Sequence, residues 1–136
     1  MPARRPICNT AGMAVANAPT VLLVDDHAGF RSTLRNLLES VARVREAASG
    51  EEAIQLYAAT PTDWVVMDLR MPGMGGLKAT EAIRQMDPQA RILVISQFNE
   101  PELAERARQA GAAGFLNKEE LPRLLEFIRS STSPTA

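Results

Sequence analysis

The chain has 136 residues, enough for one domain of ordinary size that buries roughly two-thirds of its unfolded surface, and too few for a second core. Its 15 basic and 16 acidic residues leave a formal charge of -1, so no global field argues for nucleic acid or an anionic membrane and partners must be recognised locally. No apolar stretch approaches the ~20 residues of a bilayer span, and the single cysteine, Cys8, has no internal disulfide partner, which suits a reducing compartment.

Residues 1–18 read as a disordered leader with an alternative start at Met13. Arg4-Arg5 followed by residues 7–18 loosely imitates a signal peptide, but Asn9, Thr10, Gly12 and Asn17 make its core too polar, so a cytoplasmic protein is expected. Strand-like and helix-like patterns then alternate five times, the signature of an α/β fold with a mostly parallel sheet. Residues 21–24 form a continuous apolar run, as in a strand buried on both faces. Over 27–40, Phe30, Leu34, Leu37 and Leu38 recur at helical spacing. Residues 41–47 alternate imperfectly, as expected of a short edge strand with one wetter face. Ser49 and Glu52 have capping-box spacing before a helix that Pro61 ends.

A third strand is expected at 64–67, and the loop 70–76 holds too much glycine for a helix. A helix over 77–86 is broken by Asp87-Pro88, and 91–95 is a strand of almost pure aliphatic character ending at Ser96. Pro101 suits the first turn of a helix over 101–110, with Gly111 as its C-terminal cap. A fifth strand at 114–117 precedes a last helix at 121–129, where Leu121, Leu124, Leu125 and Ile128 repeat at i, i+3, i+4 and i+7. Residues 130–136 read as a disordered tail or linker.

Charged residues sit where the apolar runs stop: Asp25 and Asp26 after the first, Asp68 after the third, Lys118 after the fifth. In the strand order 2-1-3-4-5 these ends share one edge of the sheet, where open α/β folds bind ligands. Three close carboxylates raise one another's pKa, so a divalent cation is the natural counterion. Mg²⁺ keeps several waters and takes few carboxylates, which suits Asp26 and Asp68 as direct ligands, Asp25 holding a water, and the carbonyl of Arg70 completing the set. Asp68 is also the candidate nucleophile toward phosphorus, with Lys118 and the Ser96 hydroxyl sharing the charge of the phosphoryl oxygens. Plainer readings stand beside these. Asp25 and Asp26 also suit capping of the first helix, Phe115 also suits the core, His27 suits a solvent-facing helix start, and Met71 and Met74 suit loop packing.

At Val-Asp25-Asp26-His27, Met-Asp68-Leu-Arg70-Met71-Pro72-Gly73-Met74-Gly75-Gly76-Leu77, Val-Ile-Ser96 and Gly111-Ala-Ala-Gly-Phe115-Leu-Asn-Lys118 the chain resembles the receiver domain of two-component response regulators, over about residues 20 to 129. The resemblance implies a flavodoxin-like, CheY-like fold over 19–129, with helices on both faces of a five-stranded parallel sheet. It further implies phosphorylation of Asp68 by a histidine kinase or phosphotransfer protein with Mg²⁺, in a signalling domain and not an enzyme, though one that assists its own phosphorylation and dephosphorylation. In that family the hydroxyl residue matching Ser96 moves toward the phosphoryl group and the aromatic matching Phe115 turns inward. The Arg-Met-Pro-Gly loop and the Lys-Glu ending look most like the subfamily that usually carries a C-terminal helix-turn-helix.

Two positions depart from the family pattern: Gln97 stands where many receivers have a small residue, and Glu119 stands where proline is common, so no cis-proline is inferred. Output is expected through protein contact, with a downstream partner or a second copy docking on the face of the last two helices and the fifth strand, around Ala107, Ala110, Phe115 and Leu121; neither direct nucleic-acid binding nor membrane contact is expected. The alternative is a phosphorylation-independent binding module on the same fold. A Mg²⁺-dependent phosphatase wants a second acid two residues after its aspartate, where Arg70 stands, and a flavin carrier would need phosphate donors where Asp25 and Asp26 lie.

Overall fold

The computed structural model describes residues 18–71, 73–97 and 101–130. Nearly all of the expected leader and tail, with Cys8 and Met13, lies outside the described residues, as does Pro72. Five strands alternate with five helices: β1 (Thr20–Val24), α1 (Ala28–Leu38), β2 (Arg43–Ala47), α2 (Gly50–Ala59), β3 (Trp64–Asp68), α3 (Gly76–Met86), β4 (Ile92–Ser96), α4 (Pro101–Gln109), β5 (Gly114–Asn117) and α5 (Leu121–Ser130).

The elements fall where the apolar periodicity puts them, and the differences at their ends have local causes. Glu39 caps α1, and the amides of Val41 and Ala42 both donate to the Leu38 carbonyl. That turn occupies two residues expected in β2, which therefore starts at Arg43. At the head of α2 the Ser49 hydroxyl accepts from the Glu52 amide at 3.1 Å, while the Glu52 carboxylate accepts from the Ala48 amide at 2.8 Å, a reciprocal cap shifted by one residue. The helix stops at Ala59, before Pro61. Strand β3 runs one residue further than expected and makes Asp68 its last member.

All strand pairs are parallel, in the order β2-β1-β3-β4-β5. Alternate residues of the central strands feed two separate cores. Leu22, Val24, Val65, Met67, Ile92 and Val94 meet Ala53 and Tyr57 of α2, Ala79 and Ile83 of α3, and Leu103 and Ala107 of α4. Val21, Leu23, Val66, Leu93, Ile95 and Leu116 meet Leu34 and Leu38 of α1 and Leu124 and Ile128 of α5. Because both sheet faces are covered, period-two alternation is invisible in the central strands, and their sequences read as unbroken apolar runs. The edge strand β2 behaves differently: Arg43 and Arg45 are exposed while Val44 and Ala47 turn inward. No helix among the described residues is long and apolar enough to cross a membrane.

The junction between β3 and α3 is close-packed. The Gly76 amide donates to the Leu69 carbonyl at 3.1 Å, so the loop folds back onto the strand it left. Gly75, which precedes the helix with φ at 82°, takes a left-handed conformation that glycine tolerates best. A Cβ on Gly76 would overlap the Asp68 carbonyl oxygen and lie 3.0 Å from Leu69 Cα, both backbone atoms that cannot swing aside. Gly76→Ala is expected to lower stability by about 1–3 kcal/mol despite alanine's better helix propensity. Urea denaturation of the two proteins checks this, and an equal or higher midpoint for the variant would contradict it.

Candidate functional site

Residues far apart in the chain meet at the carboxyl edge of the sheet. The backbone amide of Asp25, just past β1, donates to the Ala47 carbonyl of β2 at 3.2 Å, and its carbonyl accepts from the Arg31 guanidinium at 2.5 Å. Arg31 is held in turn by Glu46 of β2 at 2.7 Å, and Glu46 also pairs with Arg35. These contacts leave the Asp25 side chain fully buried while Asp26 stays exposed. Asp68, at the end of β3, is almost fully buried. The Lys118 amide donates to the Ser96 carbonyl at 2.7 Å and ties the end of β5 to β4. From there the lysine side chain reaches inward until its Nζ stands 3.6 Å from Asp25 Oδ2 and 3.4 Å from Asp68 Oδ1.

One ammonium does not balance this much buried negative charge. The Asp68 carboxyl is pushed up to about 6, first because burial disfavours its ionised form and next because the Asp25 charge repels it; Lys118 opposes both, and Asp26 adds a smaller push. One carboxylate oxygen from each of Asp25, Asp26 and Asp68 lies within 4.8 Å of the other two. Asp25 Oδ1 accepts from the His27 amide at 2.7 Å, but Asp25 Oδ2 accepts no hydrogen bond although it is buried. A buried acceptor that receives no hydrogen bond, its ion-pair partner Lys118 standing 3.6 Å away, together with three convergent oxygens fits a hard divalent cation of the magnesium type.

The other expected residues take up the following places. Ser96 ends β4, 1% exposed, one residue beyond Ile95, the register partner of Asp68. Arg70 is exposed on the loop that folds back, where it borders a cavity of about 340 Å³ with Leu69, Met74, Leu77, Leu103 and others. Met71 and Met74 pack against the core, as expected of loop-filling methionines. Phe115 is half-buried against the same core, and Gln97 is exposed. His27 caps α1, its Nδ1 accepting from the Phe30 amide at 3.1 Å with the residue exposed. The cap is thus the histidine, and the aspartates are left to the site. Ala107 and Ala110 are buried, Ala107 in the core that α4 covers, so neither is exposed on the α4–β5 face in this structure.

Sequence reasoning missed four residues. Phe30 read only as part of an apolar stripe, yet the Lys118 ammonium lies 4.2 Å from its ring centroid. The Arg31–Glu46 bridge carried no motif, since its partners lie on different elements. Glu120 shapes the turn after the lysine: its carboxylate accepts from the Asn117 amide at 2.9 Å and its own amide donates to the Asn117 carbonyl at 2.8 Å.

The family model of the response regulator receiver domain matches residues 21–129. The chain is 40% identical over 114 residues to the response regulator UvrY of Escherichia coli O6:H1, an alignment covering 81% of this chain and 52% of that protein. It therefore spans about half the length of the curated relatives it matches. Among solved structures it is similar to a LuxR-family two-component response regulator from Aurantimonas, with a TM-score of 0.77 and 40% identity over 84% of this chain and 86% of that one. It is also similar to a chain of the CheX–CheY–BeF3–Mg²⁺ complex from Borrelia burgdorferi, with a TM-score of 0.77 and 28% identity over 85% of this chain and 90% of that one.

The electrostatics of Asp68 have a measurable consequence for stability. The folded carboxyl holds its proton up to about pH 6, whereas an unfolded one releases it near the ordinary 3.8. Between those values the folded state binds more protons, so stability falls as pH rises through that window and the penalty persists above it. Asp68→Asn removes the penalty and is expected to raise stability at pH 7 by about 1–3 kcal/mol in metal-free buffer, with the gain vanishing below about pH 4. Urea titrations at the two pH values check this, and a variant no more stable than the wild type at pH 7 would refute it.

Proposed function

The chain belongs to the response regulator receiver domain family, and from that premise we propose that it is a phosphoacceptor signalling module that takes a phosphoryl group onto Asp68 from a histidine kinase. The observation that carries this reading is the single ammonium of Lys118 set between the buried carboxylates of Asp25 and Asp68. A carboxylate oxygen of Asp68 attacks phosphorus to form an acyl phosphate while the phosphorus–nitrogen bond to the donor histidine breaks and the imidazole leaves with the electron pair. Asp26 and Asp68 would hold Mg²⁺ directly, Asp25 through a water, with the Arg70 carbonyl as a further ligand. When bound, that ion supplies positive charge against the phosphoryl oxygens.

The protein's own groups do the rest. Lys118 offers a compact positive charge that transfers from the Asp68 carboxylate to a phosphoryl oxygen without leaving the site. Ser96, buried at the end of β4, offers a hydroxyl on the same edge, and Phe115, half-buried two positions before Asn117, is the aromatic that turns inward. Since Ala107 and Ala110 are covered, the responding surface is built from the outward residues of α4 and α5, among them Glu105, Arg108, Arg123 and Glu126, together with half-buried Leu121. A downstream partner or a second copy reads that surface.

Incubation with a small phosphodonor and Mg²⁺ is expected to add one phosphoryl group by intact mass, with the adduct lost in Asp68→Asn. Hydrogen exchange over α4, β5 and α5 is expected to differ between the two forms. Wild-type protein that stays unmodified by both a phosphodonor and candidate kinases would reject the reading in favour of a phosphorylation-independent binding module.

A further inference from the structure

Among the described residues the Lys118 ammonium meets two carboxylates and, as a third neighbour, an aromatic ring. At 3.6 and 3.4 Å, Asp25 and Asp68 lie beyond the usual length of a charge-assisted hydrogen bond, so neither holds the ammonium tightly. The third neighbour is the face of the Phe30 ring, 4.2 Å from Nζ to centroid, inside the range where a ring quadrupole attracts a cation. Phe30 lies in the first turn of α1, its amide tied to His27 Nδ1, and its ring is half-buried against the core beneath that helix. The Lys118 side chain is 17% exposed, so the contact is largely screened from water.

We propose that Phe30 is a positioning residue whose ring face holds the Lys118 ammonium over the acidic site. A lysine side chain is flexible and loses much rotamer freedom when fixed. Two carboxylates at long range leave it free to follow either of them, and the ring face supplies a third contact. The attraction also differs in kind from an ion pair: the ring face is neutral, accepts no proton and does not change when Asp68 does. The same surface therefore holds the ammonium whether its anionic neighbour is a carboxylate or a phosphoryl oxygen. This inference rests on the proposed phosphoryl transfer for its consequence, but not for the contact itself.

Two variants separate ring character from apolar bulk: Phe30→Leu keeps the packing and removes the ring face, whereas Phe30→Tyr keeps both. The ε-methylene is bonded directly to the ammonium that stands 4.2 Å from the ring centroid, so its NMR resonances are expected upfield in the wild type and in Phe30→Tyr, and near ordinary lysine values in Phe30→Leu. Phosphorylation of Asp68 by a small phosphodonor with Mg²⁺ is expected to slow about three- to tenfold in Phe30→Leu and to stay within about twofold in Phe30→Tyr. A purely structural role would move neither the resonance nor the Leu-against-Tyr ratio once both variants are shown folded by circular dichroism. Lysine resonances that are the same in all three proteins would overturn the proposal, as would equal phosphorylation rates in the two variants. If the wild type takes no phosphoryl group at all, the functional reading fails, and the methylene resonances still decide whether the ring holds the ammonium.

Discussion

Two buried carboxylates facing one ammonium set the terms for everything at the carboxyl edge of this sheet. Asp25 and Asp68 are withdrawn from water, and Lys118 serves both. Burial and repulsion raise the Asp68 pKa against the pull of the lysine, which identifies the missing quantity as positive charge. A site in this condition is poised toward anything that brings a cation or removes an anion from the cluster. The exposed Asp26 adds a third oxygen on the solvent side, where such a species arrives.

The fold sustains this imbalance because it is anchored elsewhere. Two apolar cores, one on each face, hold β1, β3 and β4 in fixed parallel register, so the strand ends cannot separate to relieve the repulsion. The charges are then braced from behind. Arg31 links the Asp25 carbonyl to Glu46 on the neighbouring strand, and the Lys118 amide is bonded to the end of β4. The destabilising edge is small beside the apolar interior that carries it, which is the usual relation between a site and its scaffold.

Much of this was legible in the sequence because two simple signals coincided. Unbroken apolar runs marked strands buried on both faces, and charges at the ends of those runs marked the edge where they meet. The order 2-1-3-4-5 and the gathering of Asp25, Asp68 and Lys118 follow from those signals together with the rules of parallel connection. What was not legible depended on side-chain direction. Phe30 carries the same apolar letter whether it faces the core or a lysine, and Glu46 on an edge strand looks like an ordinary solvated acid. The burial of Ala107 and Ala110 was hidden for the converse reason: small residues suit a contact surface and a close helix–sheet approach equally well. Boundary shifts at β2 came from the turn at the end of α1, whose hydrogen bonds have no period to detect.

The turn in which α3 begins on the carbonyl groups of the strand it left has a mechanical meaning. With the Gly76 amide bonded to Leu69 and no room for a Cβ between Gly76 and the Asp68 carbonyl, the first turn of the helix and the tip of the strand meet in one close corner. The helix that starts at this corner packs in turn against α2, so the tip of the strand that carries Asp68, α3 and α2 are joined in one continuous chain of contacts.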